Sequence, residues 1–343
     1  MLGPGYGESV VLHVGAGEWV VVDSCAHPET REPAALEYLR SLGVDLTQDV
    51  RLVVATHWHD DHIRGLAEVV RRCSGADFAC SLAFTKPEFL TLVKAYDSTD
   101  SSSGVQEFGS ILDLLSEESD RQQRVSRLAI ANRVLLRRNS PGAVTVTALS
   151  PSDRAVTKGL KAAGQLLPEP LRPKRRVASP SRNDASVALW VDTGGQQVLL
   201  GADLETTSRD DMGWSAVVAS RDRPAGVASV FKVPHHGSSN GDHPEVWANL
   251  LEQPIAALTP YEGSNVSLPT EEDQARIRSH ASAAYLAGQG SRRPQRHTPS
   301  VERTLRETTV RRRRQGRLGH VRLRTNAAGG LWAVQLFGSV TTL

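Results

Sequence analysis

Six consecutive residues, His57-Trp58-His59-Asp60-Asp61-His62, concentrate ligating and titratable side chains in a 343-residue chain. Imidazole and carboxylate groups suit borderline or hard divalent cations. His57 and His59, two positions apart on a turn, can reach one ion, and Asp61 with His62 points to a second ion beside it. That spacing fits two cations about 3.5–4 Å apart, an arrangement that activates water and stabilises a phosphoryl or acyl transition state. Three histidines and two acids directly behind an apolar run are not the ordinary composition of a solvated loop.

The elements that must hold these residues are legible around them. DVRLVVAT (49–56) is a continuous Val/Leu run that predicts a buried strand, and IRGLAEVVRRC after His62 reads as helix. Strand, ligand loop and helix in that order put the candidate ligands at the carboxyl end of a strand, where open α/β sheets place their sites. Upstream, SVVLHVG (9–15) and EWVVVDS (18–24) predict a hairpin split at Ala16-Gly17, and 33–43 a helix closed by Gly43. Residues 85–138 read as a mostly helical insertion with a polar break at 97–104, and TVTAL (145–149) returns to strand. Residues 165–184, with Pro168, Pro170, Pro173 and Pro180, read as a flexible excursion. SVALWVD (186–192), QVLLGAD (197–203) and SVFKVPHHGS (229–238) predict further strands, and Thr270 caps a helix predicted over 271–286. Residues 320–325 and 332–338 close the chain as strands. Two groups of strands with helices between them suggest a sheet sandwich covered by helices, in one domain over 1–343.

Composition narrows the setting. No stretch approaches the roughly 20 apolar residues of a membrane helix, and MLGPGYGES has neither the basic nor the apolar region of a secretory leader. Cys25, Cys73 and Cys80 are too few and too irregular for a disulfide framework or a thiolate zinc site, so a reduced, cytoplasmic setting is expected. The net charge of +2 conceals an asymmetry: residues 291–324 hold twelve arginines against two glutamates, a net of +10 that leaves −8 on the rest. Basic segments of this kind commonly engage polyanions.

The ligand run, together with Asp23 at the end of VVVDS, resembles the metallo-β-lactamase superfamily. Asn183-Asp184-Ala185-Ser186-Val187, then LLGAD ending at Asp203, then KVPHHGS at 232–238 is similar to the hydrolase domain of competence proteins, which process DNA during uptake. The resemblance runs from about residue 5 to 245. It implies an αββα four-layer sandwich and two divalent ions, zinc or manganese, held by His57, His59, Asp61, His62, Asp203 and His236. Asp203 would bridge the two ions, and Asp23 would orient a histidine. Of the adjacent pair, His236 is the expected ligand and His235 the phosphate-facing residue. Asn183 and Ser238 would support the site, and Gly237 would let the backbone pass close to substrate. Two departures stand out. No histidine occurs between His62 and Asp203, which leaves the His57/His59 ion short of a ligand unless Asn183, Asp184 or Ser150 contributes. Arg64 stands where this branch often has glycine.

The function expected from these readings is hydrolysis of a phosphodiester, most concretely by a nuclease, with Asp60 or Asp61 helping to position the attacking water. Arg311-Arg312-Arg313-Arg314 would supply sequence-independent phosphate contacts to nucleic acid. A small-molecule hydrolase on the same scaffold, such as a lactonase, thioesterase or phosphorylcholine-esterase-like enzyme, stays open. So does an effector subunit of a larger assembly that docks a protein partner through the helical insertion.

Overall fold

The computed structural model describes residues 1–85, 103–119, 126–139, 142–165, 183–262, 266–289, 317–326 and 329–343. Two sheets dominate it. A five-stranded sheet runs in the order Val10–His13, Trp19–Val22, Val50–Ala55, Asp77–Ser81, Ser126–Ala129, with the first pair antiparallel and the others parallel. An eight-stranded mixed sheet runs Val340–Thr342, Ala283–Ala287, Leu251–Leu258, Ala228–Lys232, Gln197–Leu200, Leu189–Asp192, Val144–Ala148, Arg133–Arg138.

The Val-rich strands are explained by burial on both faces, which leaves no polar alternation. Val20, Val22, Leu52 and Val54 point between the sheets, against Val146, Leu189, Val191 and Leu200 of the other sheet. Val21, Val53 and Ala55, one residue out of phase, point outward onto the helices Ala34–Ser41, Leu66–Arg72 and Ser103–Ser119. On the opposite outer face Trp190, Leu199 and Phe231 meet the helices Gly213–Ala219, Pro244–Asn249 and Glu271–His280. Helices, sheet, sheet and helices therefore stack in four layers.

Three expectations differ from what forms. The stretch expected to be a helical insertion is helical over Ser103–Ser119, but Ser126–Ala129 and Arg133–Arg138 are strands that step from one sheet to the other. The helix capped by Thr270 stops at His280, and Ala283–Ala287 becomes a strand parallel to Leu251–Leu258. Helix-forming alanines yield there to a free sheet edge, because tertiary pairing outweighs a weak local preference. The helical reading after His62 is interrupted at Gly65, whose φ of 84° separates the short turn Asp60–Ile63 from the helix beginning at Leu66. The arginine run 311–314 and most of the excursion at 165–184 lie outside the described residues.

Candidate metal centre

The site is assembled at the carboxyl ends of five strands. Trp19–Val22 leads to Asp23, Val50–Ala55 to the ligand run, Gln197–Leu200 to Asp203, Ala228–Lys232 to His235 and His236, and Leu251–Leu258 to Thr259. Turning so sharply off the sheet puts Asp23, Ala202, His235 and His236 in left-handed backbone, with φ of 57°, 46°, 49° and 54°. Such conformations cost non-glycine residues about 1–3 kcal/mol each and collect where the surrounding structure holds functional side chains in place. At Gly237, φ 84°, a Cβ would stand 2.8 Å from Leu258 Cδ1, so the glycine lets the loop press onto the core.

Two groups of donors converge, and Asp203 is common to both. Asp61, His62, Asp203 and His236 offer four ligand atoms within 4.8 Å of one another, and His57, His59 and Asp203 offer three. His62 Nε2 lies 3.2 Å from Asp203 Oδ1, and His236 Nε2 lies 3.1 Å from Asp61 Oδ2 and 3.7 Å from Asp203 Oδ2. His57 Nε2 stands 3.7 Å from Asp203 Oδ2. His235 belongs to neither group; its Nδ1 faces Glu205 Oε1 at 3.7 Å.

The far ring nitrogens are tethered, which fixes the near ones inward. Asp23 Oδ2 lies 2.8 Å from His62 Nδ1, as expected for an orienting carboxylate. The same Asp23 is itself fixed by the backbone N–H and hydroxyl of Thr56, at 2.8 and 2.6 Å. His57 Nδ1 meets the hydroxyls of Thr56 at 3.0 Å and Ser186 at 3.5 Å. His236 Nδ1 lies 3.1 Å from Thr259 Oγ1. Asp23, His57 and His62 also cluster closely enough to count as a donor triple. The hydrogen bonds through Thr56 account for that closeness without an ion.

Sequence reasoning missed a buried hub behind the donors. Glu8 takes a 2.6 Å ion pair from Lys232 Nζ on one oxygen and a 2.9 Å hydrogen bond from Thr259 on the other. Its Oε1 is also 3.5 Å from His62 Nδ1, and Lys232 Nζ is 3.7 Å from Asp203 Oδ1. One carboxylate thus touches, directly or through Thr259, both histidines of the four-donor group and the cation that faces Asp203. Glu8 is a lone acid in a Gly-rich segment, without a spacing signal. Lys232 was visible only as part of KVPHHGS.

Several expected residues do other work. Asp60 is outside both groups and pairs with Arg64 at 3.2 Å, on the side facing Gly104 of the helix Ser103–Ser119. Asn183 spends its amide and backbone N–H on Glu205, both at 3.4 Å, and Ser238 donates to Asn240 within its own loop. Of the three candidates for an extra ligand, Asn183 is thus engaged by Glu205, Asp184 pairs with Lys158 at 2.5 Å, and the Ser150 hydroxyl donates to the Ser186 carbonyl at 2.6 Å. Cys25, Cys73 and Cys80 are buried, and burial raises the Cys80 thiol to about 12. Among the described residues no helix is long and apolar enough to cross a membrane.

Whether these residues suit metal ions can be tested on their own electrostatics. His57 Nε2 is buried and lacks a hydrogen-bond partner among the described residues, and the equally buried His62 Nε2 and Asp203 Oδ1 face each other at 3.2 Å without an aligned hydrogen bond. Each such group carries a desolvation penalty of about 1–3 kcal/mol unless something binds it. Four buried carboxylates, Glu8, Asp23, Asp61 and Asp203, face one lysine, Lys232. Burial works against charge on His62, yet Asp203, Glu8 and Asp61 outweigh it and lift its pKa well above the usual imidazole range. Burial likewise opposes ionised Asp203, but His62 and His236 hold its carboxyl well below the usual range. Burial, with His62 and His59 adding to it, keeps His57 neutral, the form that ligates. A cluster that draws a proton onto His62 is one that favours cations, and the donor set fits divalent metal.

Comparison with known proteins finds a family model that matches part of the chain. No curated protein matches it. Among solved structures it is similar to the metallo-beta-lactamase fold protein YhfI from Bacillus subtilis, at 12% identity and TM-score 0.41, covering 83% of this chain and 90% of that one. It is also similar to a HARLDQ-motif mutant metallo-beta-lactamase from Cronobacter sakazakii, at 15% identity and TM-score 0.37, covering 67% and 73%. A third likeness is to Zn(2+)-bound PqqB from Methylobacterium extorquens, at 14% identity and TM-score 0.33, covering 65% and 58%. The family model of the metallo-beta-lactamase superfamily matches residues 2–121, which include the ligand run but end before Asp203 and His236. With the first four ligands inside that match, the remaining donors converging on them, and the sheets stacked between helices, the chain has the metallo-β-lactamase fold.

Proposed function

We propose that this chain is a metal-dependent hydrolase that cleaves phosphodiesters, most concretely a nuclease. The observation that carries the reading is the pair of donor groups sharing Asp203, with the outer nitrogens of His57, His62 and His236 already tied down. Two divalent ions so held would polarise a substrate oxygen and lower the pKa of water.

The protein's own residues supply the rest. Asp61, His62, Asp203 and His236 would hold one ion, and His57, His59 and Asp203 the other. Asp23, Thr56 and Thr259 keep the rings from turning, so the donors are in position before substrate arrives. His235, one residue from the donors yet outside both groups, is assigned to the substrate side, with Glu205 3.7 Å from its Nδ1. Lys232 balances charge behind Asp203.

The phosphodiester assignment is favoured by an order of motifs that resembles the competence-protein hydrolase domain and by the +10 charge of residues 291–324. The test is turnover of linear DNA, RNA and bis(p-nitrophenyl) phosphate, with manganese and zinc added separately. Cleavage of a nucleic acid and of the reporter, lost in Asp203→Ala, supports the proposal. Turnover of lactones or thioesters with no phosphodiester cleavage would replace it with a small-molecule hydrolase.

A further inference from the structure

The segment Gly5-Tyr6-Gly7 is a turn whose two glycines take left-handed backbone, with φ of 88° and 95°, a conformation that glycine adopts without the steric cost of a side chain. It runs hard against the ligand run. A Cβ on Gly7 would stand 2.9 Å from the carbonyl oxygen of Asp61, and the Glu8 N–H donates to that oxygen at 2.9 Å. The turn presents Tyr6 at the edge of the donors with 42% of its surface exposed.

Opposite it, Tyr261 leads the short hairpin Tyr261–Glu262/Ser267–Leu268. Its ring lies 6.1 Å from that of Tyr6, tilted by 36°, and 5.3 Å from that of His236. The guanidinium of Arg64, paired with Asp60, lies over the Tyr6 ring at 5.8 Å. Three separate elements therefore bring flat π surface, bordered by a cation, to the rim of the centre. An aromatic ring left this exposed gains little from burial in the free protein.

We propose that Tyr6 and Tyr261 form a stacking shelf for the planar base of a nucleotidyl phosphodiester whose scissile group lies over the Asp61–Asp203 donors. This rests on the phosphodiesterase reading above and specifies its substrate as nucleotide-like. The run Arg311–Arg314 holds no aromatic residue, so stacking and long-range charge are supplied by different parts of the chain. A base stacked on protein aromatics gains about 1–3 kcal/mol, roughly a 5- to 150-fold gain in affinity. Tyrosine faces serve any base, so sequence preference is not expected.

The experiment compares calorimetric binding of thymidine 5′-monophosphate and of deoxyribose 5-phosphate to the manganese-supplemented protein. The two probes share sugar and phosphate and differ in the base. The nucleotide is expected to bind at least roughly tenfold tighter, within the stacking range above. That difference should shrink to near one in a Tyr6→Ala/Tyr261→Ala double variant and persist in Tyr6→Phe and Tyr261→Phe, because the ring and not the hydroxyl is needed. Equal affinity of the wild-type protein for the two probes would overturn the shelf, as would a difference that survives in the double alanine variant. Binding needs no turnover. Ring-dependent nucleotide binding without phosphodiester cleavage would therefore uphold the shelf and sink the hydrolase reading.

Discussion

The two donor groups draw on the same loop and share Asp203, yet they are built to different depths. The four-donor group is entirely buried, and its two histidines are braced from behind by Asp23, Thr259 and Glu8. The three-donor group includes His59, which is only partly buried, and its brace is a pair of hydroxyls on His57. A hydroxyl orients a ring but adds no charge, whereas a carboxylate also raises the basicity of the ligating nitrogen. The lesson is that ligand count and support rise together. An ion on the Asp61 side should be retained, and one on the His59 side should exchange.

The largest effect expected to sharpen this contrast follows Asp203→Ala, which removes a donor from both groups at once. Elemental analysis after dialysis should find both ions lost, and hydrolysis should fall below detection. Next come the single-group variants. His236→Ala should abolish the tight ion, and His59→Ala should leave it in place while removing the weaker one. His235→Ala should keep metal content and lower the rate, because that ring sits outside both groups. If His235→Ala lost metal while His236→Ala kept it, the assignment within the pair would be reversed.

Breaking the hub tests the brace itself. Glu8→Gln removes the nearer carboxylate of the buried Lys232, leaving Asp203 at 3.7 Å, and breaking a buried ion pair from one side costs about 3–5 kcal/mol. Thermal unfolding should show a marked fall in Tm, partly recovered in Glu8→Gln/Lys232→Met, where the buried cation is gone as well. Asp23→Asn is a gentler cut: the tight ion should weaken by about 10- to 100-fold in a competitive chelator titration. Loss confined to the weak ion would contradict the placement of Asp23 behind His62.

The smallest effect lies outside the site and serves as a control. His320 is packed between Tyr38 and Phe337, with ring centroids at 4.7 and 5.2 Å, and burial lowers its pKa to about 3. Its folded pKa is below the unfolded one, near 6.5, so the unfolded state binds the extra proton between those values. Stability should decline as pH falls from about 6.5, and His320→Gln should reduce that decline without altering metal content. Urea midpoints at pH 7 and pH 5 would measure it.

Much of this centre could be read from the chain because its first four ligands are nearly consecutive and follow a strand buried on both faces. Asp203 and His236 were legible through motif order, since each ends an apolar run with a polar turn. Glu8 was not. It lies 251 positions from Thr259, and only the stacking of two sheets brings them to 2.9 Å. Asp60 shared with Asp61 only the expected role of positioning water, but on the turn Asp60–Ile63 successive side chains point about 100° apart, and Asp60 lies outside both donor groups. His236 was favoured over His235 as the ligand by the resemblance alone, and both adjacent residues take left-handed backbone. The strand Ala283–Ala287 was misread for the opposite reason: its alanines carry a local helical preference that pairing with a neighbouring strand overrides.

The most direct test of the shared-carboxylate centre is a calorimetric titration of metal-stripped protein with manganese or zinc. The expected isotherm has two steps of unequal affinity, the tighter missing in His236→Ala, the weaker missing in His59→Ala, and both missing in Asp203→Ala. A single step unaffected by Asp203→Ala, or no uptake at all, would contradict it.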